Sequence, residues 1–596
     1  MLKVYYENIL NKNNWSSRKF IENVITLLEK EWYDKNIFII EAPTGYGKST
    51  ISQVISFFSY KEELKSIVVL PIRTLLEDQY EKFKSFLIND EILGKRYMHN
   101  LDSKYLIKPI TLTTIDTFSL TLFGIPPEEI NKVIKEWSGT SFGSLGHYMF
   151  SQASVLLSNI ILDEVHLLSD STKSLNFLMM LILFALDNDQ KLILMSATIP
   201  TVLKRKLHSN IPLDKRNKVR IISFEKSNGN IFYDEEFVKE RKRKNYHIFL
   251  HKVKKEEKFE KILNWINLEK NKNKVIIIFN TVKDSIDFYK MLNEKIKRNK
   301  LLIHSRFNEK DREEKIKKLN EIKKTNDYII VSTQTIEAGI DISSNLLISE
   351  IAPANSLIQR FGRFLRYENE YEGNAYVWYE VDENGELENK NGKYKVYDWY
   401  LTYRTIEELK KLGHSISSSE KDGIIIQSSE INFHIPEGYK KIIDSVYKYE
   451  EDFLINKEEV ENLLSTFLNI KNLSEHSLEK YLKLEGSFIR EEVLIPVITS
   501  DMIKVCLNSK QLDYIIKHII PISIKLIKKL KIQGGITIGR ENEKEEIEII
   551  NEIPNYQIEN SQNLLKFMFK KSIIAFIIEA KYDNEIGLFL SEEYYE

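Results

Sequence analysis

Residues Ala42–Thr50 read APTGYGKST, directly after the apolar run NIFIIE and before a helical stretch. A strand, a loop of small residues and a helix form the setting in which backbone N–H groups can surround a polyphosphate. Lys48 would then reach the β- and γ-phosphates, and the Ser49 hydroxyl would bind magnesium. The stretch predicts an ATP site to which every residue of the loop contributes: Ala42, Pro43, Thr44, Gly45, Tyr46, Gly47, Lys48, Ser49 and Thr50.

A second motif, ILDEVHLL at residues 161–168, supplies acidic groups for the same site. Asp163 ends an apolar strand-like run, where a magnesium ligand belongs. Glu164 can orient and deprotonate the attacking water, and we expect His166 to relay between the nucleotide and a nucleic acid. Farther along, MSATIP offers the hydroxyls of Ser196 and Thr198 to link the two catalytic strands.

Short apolar runs alternate with helical stretches twice along the chain, which indicates two parallel α/β sheets with crossover helices. The runs of the first series are NIFIIEAP, SIVVLP, ITLTTID, NIILDEVH and LILMSAT, and those of the second are KVIIIFN, LLIHSRF, DYIIVST, LLISEIAP and AYVWYE. We expect a first P-loop-type (RecA-like) lobe over residues 1–210, a basic linker over 211–255, a second RecA-like lobe over 256–385 and a mostly helical C-terminal accessory region over 386–596.

The second series carries candidate partners for the ATP site. Thr333 and Asp341 lie in the turn TQTIEAGIDIS, where we expect contacts to a nucleic-acid backbone and to the ribose. In SLIQRFGRFLR, the i, i+4, i+7 spacing predicts that three side chains share one helical face: Gln359, Arg363 and Arg366. Guanidinium groups placed in this way suit a γ-phosphate that is sensed across a cleft.

Polar residues at other strand ends predict a groove for nucleic acid across both lobes. Arg73 stands where a strand gives way to a helix, a natural position for a phosphate. The complete set of expected contacts is Arg73, Thr114, Asp116, Thr117, Asn280, His304, Arg306 and Thr333.

Composition limits the class of protein. The 596 residues include 86 basic and 87 acidic side chains, for a formal net charge of −1, so a nucleic acid must be held by a local groove. A single cysteine, Cys506, excludes a four-cysteine zinc or iron–sulfur site within this sequence. The polar start and the absence of an apolar run long enough to span a bilayer predict a cytoplasmic protein without a membrane partner.

Over residues 37–379 the sequence resembles the superfamily 2 helicases of the DExH type, and within them the helicase component of type I CRISPR interference. The likeness is carried by ILDEVHLL, by HSRFNEKDR at residues 304–312, and by residues 336–366. HIPEGYKKIIDSVY and YDNEIGL resemble family segments beyond the motor. The resemblance implies an ATP- and magnesium-dependent motor that is recruited to the DNA-surveillance complex Cascade and moves 3′ to 5′ on displaced single-stranded DNA.

Two departures from the family pattern matter. None of the 11 histidines is followed by aspartate, and fewer than 45 residues precede the P-loop, so we expect a helicase-only form served by a separate histidine–aspartate nuclease subunit. No glutamine precedes the P-loop, which leaves adenine selectivity open.

Two other functions stay open on sequence grounds. The motor motifs alone also suit another superfamily 2 motor, either an RNA helicase or a restriction-type translocase. A nucleic-acid clamp that closes on ATP without travelling is the alternative from another class. The presence of the full set Lys48, Asp163, Glu164, Arg363 and Arg366 favours turnover over clamping.

Overall fold

The structure of the protein is a computed structural model. The structure describes all residues of the chain except 87–90, 98–99, 101, 128–129, 131–132, 134–147, 170, 227–230, 417–422, 469–472, 510–511, 542–543, 552, 554–559 and 591–596.

The first lobe is a seven-stranded parallel sheet with helices on both faces. Its strand order is β3-β4-β2-β5-β6-β1-β7. Strands β1, β5 and β6 are buried along their whole length, as expected for a parallel sheet covered on two sides. The elements are α1 (Leu2–Asn13), α2 (Lys19–Glu31), β1 (Ile37–Glu41), α3 (Ser49–Lys61), β2 (Lys65–Leu70), α4 (Arg73–Lys84), β3 (Leu93–Arg96), β4 (Ile110–Thr114), α5 (Ile115–Leu122), α6 (Tyr148–Leu156), β5 (Ser158–Leu162), α7 (Thr172–Asp187), β6 (Leu192–Ser196), α8 (Thr201–Ser209) and β7 (Val219–Ser223).

The second lobe is an eight-stranded sheet in the order β10-β11-β9-β12-β13-β8-β17-β16. Its first six strands are parallel, and β17 and β16 add an antiparallel edge. Helix α9 (Glu235–Lys242) precedes it. The elements are β8 (Asn245–Lys254), α10 (Lys258–Leu268), β9 (Lys274–Ile278), α11 (Val282–Lys295), β10 (Lys300–Ile303), α12 (Glu309–Thr325), β11 (Tyr328–Ser332), β12 (Leu346–Glu350), α13 (Ala354–Phe361), β13 (Glu372–Val381), β14 (Lys393–Tyr394), β15 (Tyr397–Asp398), α14 (Trp399–Leu412), β16 (His414–Ile416) and β17 (Gly423–Gln427).

The C-terminal region combines helices with a five-stranded sheet in the order β19-β18-β22-β20-β21, followed by the hairpin β23-β24. The two lobes with parallel sheets confirm the predicted α/β class, and the sheet adds strands to the helices expected here. The elements are α15 (Pro436–Val446), α16 (Lys457–Ser465), α17 (Leu473–Lys483), β18 (Leu494–Thr499), α18 (Ser500–Ser509), α19 (Leu512–Lys517), β19 (Ile520–Ser523), α20 (Ile524–Ile527), β20 (Ile532–Glu541), β21 (Lys544–Ile550), α21 (Ser561–Lys570), β22 (Ile573–Ile578), β23 (Lys581–Asp583) and β24 (Gly587–Phe589).

The expected linker at 211–255 differs from what the structure shows, because both of its ends belong to sheets. Strand β7 pairs with β1 in the first sheet, and β8 pairs with β13 along ten residues in the second. The basic composition of this stretch concealed strands whose apolar residues alternate with lysine and histidine. The stretch between the two sheets therefore runs from 224 to 244 and contains α9.

Helix α7 holds the longest apolar run of the sequence and lies buried between the sheet and the C-terminal helix α16. Within the part of the chain that the structure describes, no helix combines the length and the apolar character needed to cross a bilayer.

Candidate active site and nucleic-acid cavity

The loop at 42–50 lies between the end of β1 and the start of α3, as the motif requires. Gly45 and Gly47 have φ of 74° and 95°, which L side chains rarely adopt, so the turn depends on glycine here. Lys48 is buried, with Nζ 3.4 Å from the Ala42 carbonyl oxygen, and Ser49 opens α3. The backbone therefore curls as a polyphosphate site needs.

The Tyr46 side chain packs into the core of the first lobe. The ring is fully buried against Phe237, with centroids 4.8 Å apart, and its hydroxyl donates to Asp234. Only the backbone of Tyr46 remains available to a nucleotide. The aromatic contact fixes the loop to the lobe core, because a ring buried on all sides has little freedom.

The acid pair lies beside the loop. Asp163 follows β5, and its backbone N–H donates to Val69 in the neighbouring strand at 3.1 Å. Glu164 adopts a left-handed backbone, with φ 53°, that turns its carboxylate to within 3.9 Å of Lys48 Nζ. His166 Nδ1 lies 3.3 Å from Glu164 and 3.1 Å from the Ser196 hydroxyl at the end of β6. These contacts join three strand ends of the first lobe.

The two carboxyl groups differ in their proton affinity because their neighbours differ. For Asp163, burial and then the adjacent Glu164 charge raise the pKa above the ordinary aspartate value. For Glu164, burial opposes ionisation, yet Lys48 and His166 hold the pKa below the ordinary glutamate value. Glu164 is thus the ionised member of the pair, which suits a group that accepts a proton from water.

A magnesium ion fits the oxygen donors at this site. The Ser49 hydroxyl and the Asp163 carboxylate are the hard ligands that Mg²⁺ prefers, and the cation would reverse the effect of burial on Asp163. The two oxygens of Glu164 face different side chains of the site, since Oε1 lies 3.9 Å from Lys48 Nζ and Oε2 lies 3.3 Å from His166 Nδ1.

The second lobe brings Gln359 and Arg363 to the same cleft. Arg363 is buried, and its guanidinium donates to the carbonyl oxygens of Ile336 and Glu337, each at 2.9 Å. Burial and the neighbouring Arg366 lower the pKa of Arg363 to about 9, while the charge of Glu164 opposes that shift. Gln359 Nε2 lies 3.5 Å from the Thr198 hydroxyl of the first lobe. One arginine therefore faces the acid pair from across the lobes.

The two lobes approach each other closely at Gly362. A Cβ added there would lie 2.8 Å from Thr44 Cγ2 in the P-loop, so any side chain would push the two lobes apart. The glycine inside the arginine motif is thus required by contact with the nucleotide loop.

The predicted helical face for the three residues is wrong in part. Helix α13 ends at Phe361, so Gln359 lies on it, whereas Arg363 and Arg366 follow in the turn after Gly362. Leu365 has φ 46°, which confirms that the chain leaves the helical path. Arg366 donates to the Asp341 carboxylate at 2.9 Å. Arg366, the expected γ-phosphate contact, and Asp341, the expected ribose contact, therefore bind each other in this structure.

A basic cavity of about 1220 Å³ lies between the two lobes and the C-terminal region. Its lining includes cations from all three parts of the chain, among them Arg312, Lys395, Arg490 and Lys525. Seven of the eight expected nucleic-acid residues also line it: Arg73, Thr114, Asp116, Thr117, His304, Arg306 and Thr333. These seven residues thus lie around one cavity, as their positions at strand ends predict.

Three of the expected contacts have structural partners instead. Asn280 lies outside the cavity and is buried, donating to the Ile351 carbonyl at 2.7 Å and accepting from Arg360 at 2.9 Å. His304 is 2% exposed, and its Nε2 lies 3.0 Å from the Ile586 carbonyl oxygen in the C-terminal hairpin. A position at a strand end therefore does not by itself show whether a polar side chain contacts a ligand or forms a buried structural hydrogen bond.

The third, Asp116, accepts two N–H groups of Arg490 in the C-terminal region, at 2.7 and 2.8 Å. Sequence reasoning missed Arg490 and Arg312 as lining residues. Arg312 lies within the quoted segment HSRFNEKDR, so its basic character was a usable signal, whereas nothing in the local sequence marks Arg490.

Two family models match the chain. One is described as DEAD/DEAH box helicase and matches residues 22–205, which hold the P-loop and the acid pair. The other is described as CRISPR-associated nuclease/helicase Cas3, C-terminal, and matches residues 271–369, which hold the second-lobe motifs. The chain is therefore similar to the DEAD/DEAH box helicases in its first lobe and to the Cas3 nuclease/helicases in its second.

Curated relatives show the same likeness. A putative CRISPR-associated nuclease/helicase Cas3 of Methanocaldococcus jannaschii is 28% identical over 389 residues, which cover 58% of this chain and 47% of the relative. The Cas3 nuclease/helicase of Streptococcus thermophilus is 25% identical over 480 residues, covering 71% and 49%. The chain spans about half the length of these Cas3 relatives.

Solved structures show the same fold. The crystal structure of T. fusca Cas3 with AMPPNP superimposes with a TM-score of 0.64 at 14% identity, covering 98% of this chain and 71% of the other. A chain of a CRISPR RNA-guided surveillance complex in a pre-nicking state gives a TM-score of 0.56 at 15% identity, covering 95% and 68%. The C-terminal region therefore belongs to the Cas3-type fold together with the two lobes.

Proposed function

We propose that this Cas3-type chain is an ATP-dependent helicase that travels 3′ to 5′ along single-stranded DNA in type I CRISPR interference. The observation that carries the proposal is one cleft in which Lys48 and Glu164 of the first lobe face Arg363 of the second. A basic cavity lies between the same two lobes. ATP and nucleic acid would then act on the same lobe–lobe interface.

At the ATP site, each residue has a role that its position supports. Lys48 and the P-loop N–H groups bind the phosphates, and Ser49 and Asp163 would hold magnesium, which would neutralise phosphate charge when bound. Glu164 accepts the proton of the attacking water, and His166 links this carboxylate to Ser196 at the strand end. Arg363 completes the site from the second lobe and stabilises charge on the γ-phosphate.

Movement follows from the shared interface. Nucleotide binding would draw Arg363 toward the phosphates and hold the contact between Gly362 and Thr44, which nucleotide release would loosen. Because the cavity is lined by both lobes, each closure shifts its two halves relative to each other. Alternate gripping by the halves converts turnover into steps along a strand.

We also propose Cascade and a separate histidine–aspartate nuclease as partners. A structural neighbour that is a chain of a CRISPR RNA-guided surveillance complex supports the first. The second rests on the sequence printed here, in which no histidine is followed by aspartate. We place the first lobe at residues 1–223, the second at 245–381 with the added strands at 414–427, and the accessory region beyond.

ATP hydrolysis tests the proposal directly. The purified chain is assayed with magnesium, alone and with single-stranded DNA or RNA of the same sequence. We expect strong stimulation by DNA, and unwinding of a duplex with a 3′ tail but not of one with a 5′ tail. Stimulation by RNA alone would indicate an RNA helicase, and turnover without unwinding or strand displacement would indicate a clamp.

A further inference from the structure

An ion pair joins the two lobes beside the cavity. Arg73, the first residue of α4, contacts Glu309, the first residue of α12. Their side chains are 18% and 19% exposed, so the pair is largely shielded from water. A carboxylate thus lies against one of the cations that line the cavity.

The Arg73 guanidinium is held in place by its own lobe. It stacks on the Tyr97 ring at 4.1 Å and donates to the Tyr97 hydroxyl at 3.0 Å. Glu77, which accepts from the same hydroxyl, is neutralised by Lys95 at 2.7 Å. Helix α4 begins here without a side-chain cap, so its first N–H groups add partial positive charge.

A second guanidinium, Arg312, faces this place from the other lobe. It lines the same cavity and donates to the carbonyl oxygens of Ser305 and Phe307 at 3.2 and 3.3 Å. Burial and the nearby charge of Arg73 lower the pKa of Arg312 to about 10. The two guanidinium groups are thus close enough for their charges to interact, and the Glu309 carboxylate contacts Arg73.

We propose that a backbone phosphate of single-stranded nucleic acid binds between Arg73 and Arg312, and that the Glu309 carboxylate occupies this place in the free protein. The inference rests on the proposed function and adds two residues to it. A phosphodiester accepts paired N–H groups from guanidinium as a carboxylate does. Because the two arginines belong to different lobes, a phosphate held by both ties the lobes together.

Glu309→Gln is the first test, with Glu313→Gln as its matched control. Glu313 is exposed on the same helix, so both variants remove one negative charge. Binding of a fluorescein-labelled oligothymidylate is followed by anisotropy at several salt concentrations. We expect Glu309→Gln to tighten binding about three- to fivefold, since the phosphate no longer competes with a carboxylate, and Glu313→Gln to leave it unchanged. Equal affinity of the two variants would overturn the proposal.

Arg312→Gln tests the other half of the site. We expect weaker binding, and a salt dependence whose logarithmic slope falls by about 0.7, the contribution of one phosphate contact on a single strand. Arg312→Lys keeps the charge and should restore most of that slope, which separates charge from folding. An unchanged slope in Arg312→Gln would contradict the assignment.

Arg73→Gln completes a double-mutant cycle with Glu309→Gln. In the absence of Arg73, the Glu309 carboxylate no longer covers a phosphate-binding guanidinium, so adding Glu309→Gln should no longer tighten binding. If Glu309→Gln tightened oligothymidylate binding as much in the Arg73→Gln background as in the wild type, Glu309 would not compete for Arg73 and the inference would be overturned. If the wild-type chain binds no oligothymidylate at all, the proposed function fails together with it, whereas normal wild-type binding with unaffected variants defeats this inference alone.

Discussion

At the residue scale, Glu164 and Lys48 should separate turnover from binding. Glu164→Gln keeps the size of the side chain and removes the proton acceptor, so we expect ATP turnover to fall by about 10²- to 10⁴-fold while ATP still binds. Lys48→Ala removes a phosphate contact and should abolish turnover and weaken ATP binding, with single-stranded DNA binding largely kept. Turnover with magnesium and equilibrium binding of a fluorescent ATP analogue are measured for each.

The control for this pair is Glu62→Gln, an exposed acid at the end of α3 that should behave as wild type. Retained turnover in Glu164→Gln would move the proton acceptor to another group. Retained turnover in Lys48→Ala would contradict the nucleotide site itself.

The residue positions that sequence predicts well are those fixed by local geometry. The P-loop and the acid pair each lie within a few residues of a strand end, so strand and motif together place the side chains. Tyr46 and Asn280 differ because their partners, Asp234 and Arg360, are 188 and 80 residues away. A local pattern contains no information on such a partner, and a polar side chain at a strand end serves equally as a support.

At the element scale, the hairpin β23-β24 is fixed to the loop after β10 through His304. Burial lowers the pKa of His304 from about 6.5 to about 3, so the folded state holds it neutral at pH values where the unfolded chain binds a proton. This stability is fully present above pH 6.5 and is lost as pH falls toward 3. From pH 7 to pH 5 the loss amounts to about 2 kcal/mol.

Thermal unfolding at pH 7 and pH 5 checks this dependence. His304→Gln should lower the melting temperature at pH 7, because its contact with the Ile586 carbonyl is altered, yet show a smaller further drop at pH 5 than wild type. His476→Gln, at an exposed position, should keep the full drop. An equal drop in all three proteins would show that His304 does not carry the pH dependence.

Helices and strands could be predicted from the sequence where the apolar pattern fitted only one type of secondary structure. The ten apolar runs that end in polar residues form parallel strands as expected, whereas the parallel strands β3, β7 and β8 do not follow this pattern. The stretch LDYIIKHIIPISIKLIKKL reads as one amphipathic helix, but it divides into α19, β19 and α20. Isoleucine-rich runs fit a helix face and a strand equally, and here pairing of β19 with β18 decides between them.

At the scale of the whole molecule, the C-terminal region closes the cavity against the first lobe. The Arg490–Asp116 pair and the stacked rings of Phe123 and Phe488, with centroids 4.1 Å apart, join the two across more than 360 residues of chain. We infer that this contact keeps a bound strand inside the cavity, so that its rupture limits dissociation.

Asp116→Asn tests whether the contact retains DNA or whether Asp116 acts only through its charge, because the two effects change the rate of DNA release in opposite directions. Loss of an acidic charge inside a basic cavity would slow the release of DNA, whereas loss of the closing contact would speed it. Both side chains are 39% exposed, so the pair contributes only about 1 kcal/mol, equivalent to about fivefold faster dissociation. Release of a labelled oligonucleotide after addition of unlabelled competitor gives the rate, and Asp78→Asn, an acid on the surface of α4, controls for charge. Slower release from Asp116→Asn than from wild type would show that the C-terminal region does not retain the strand.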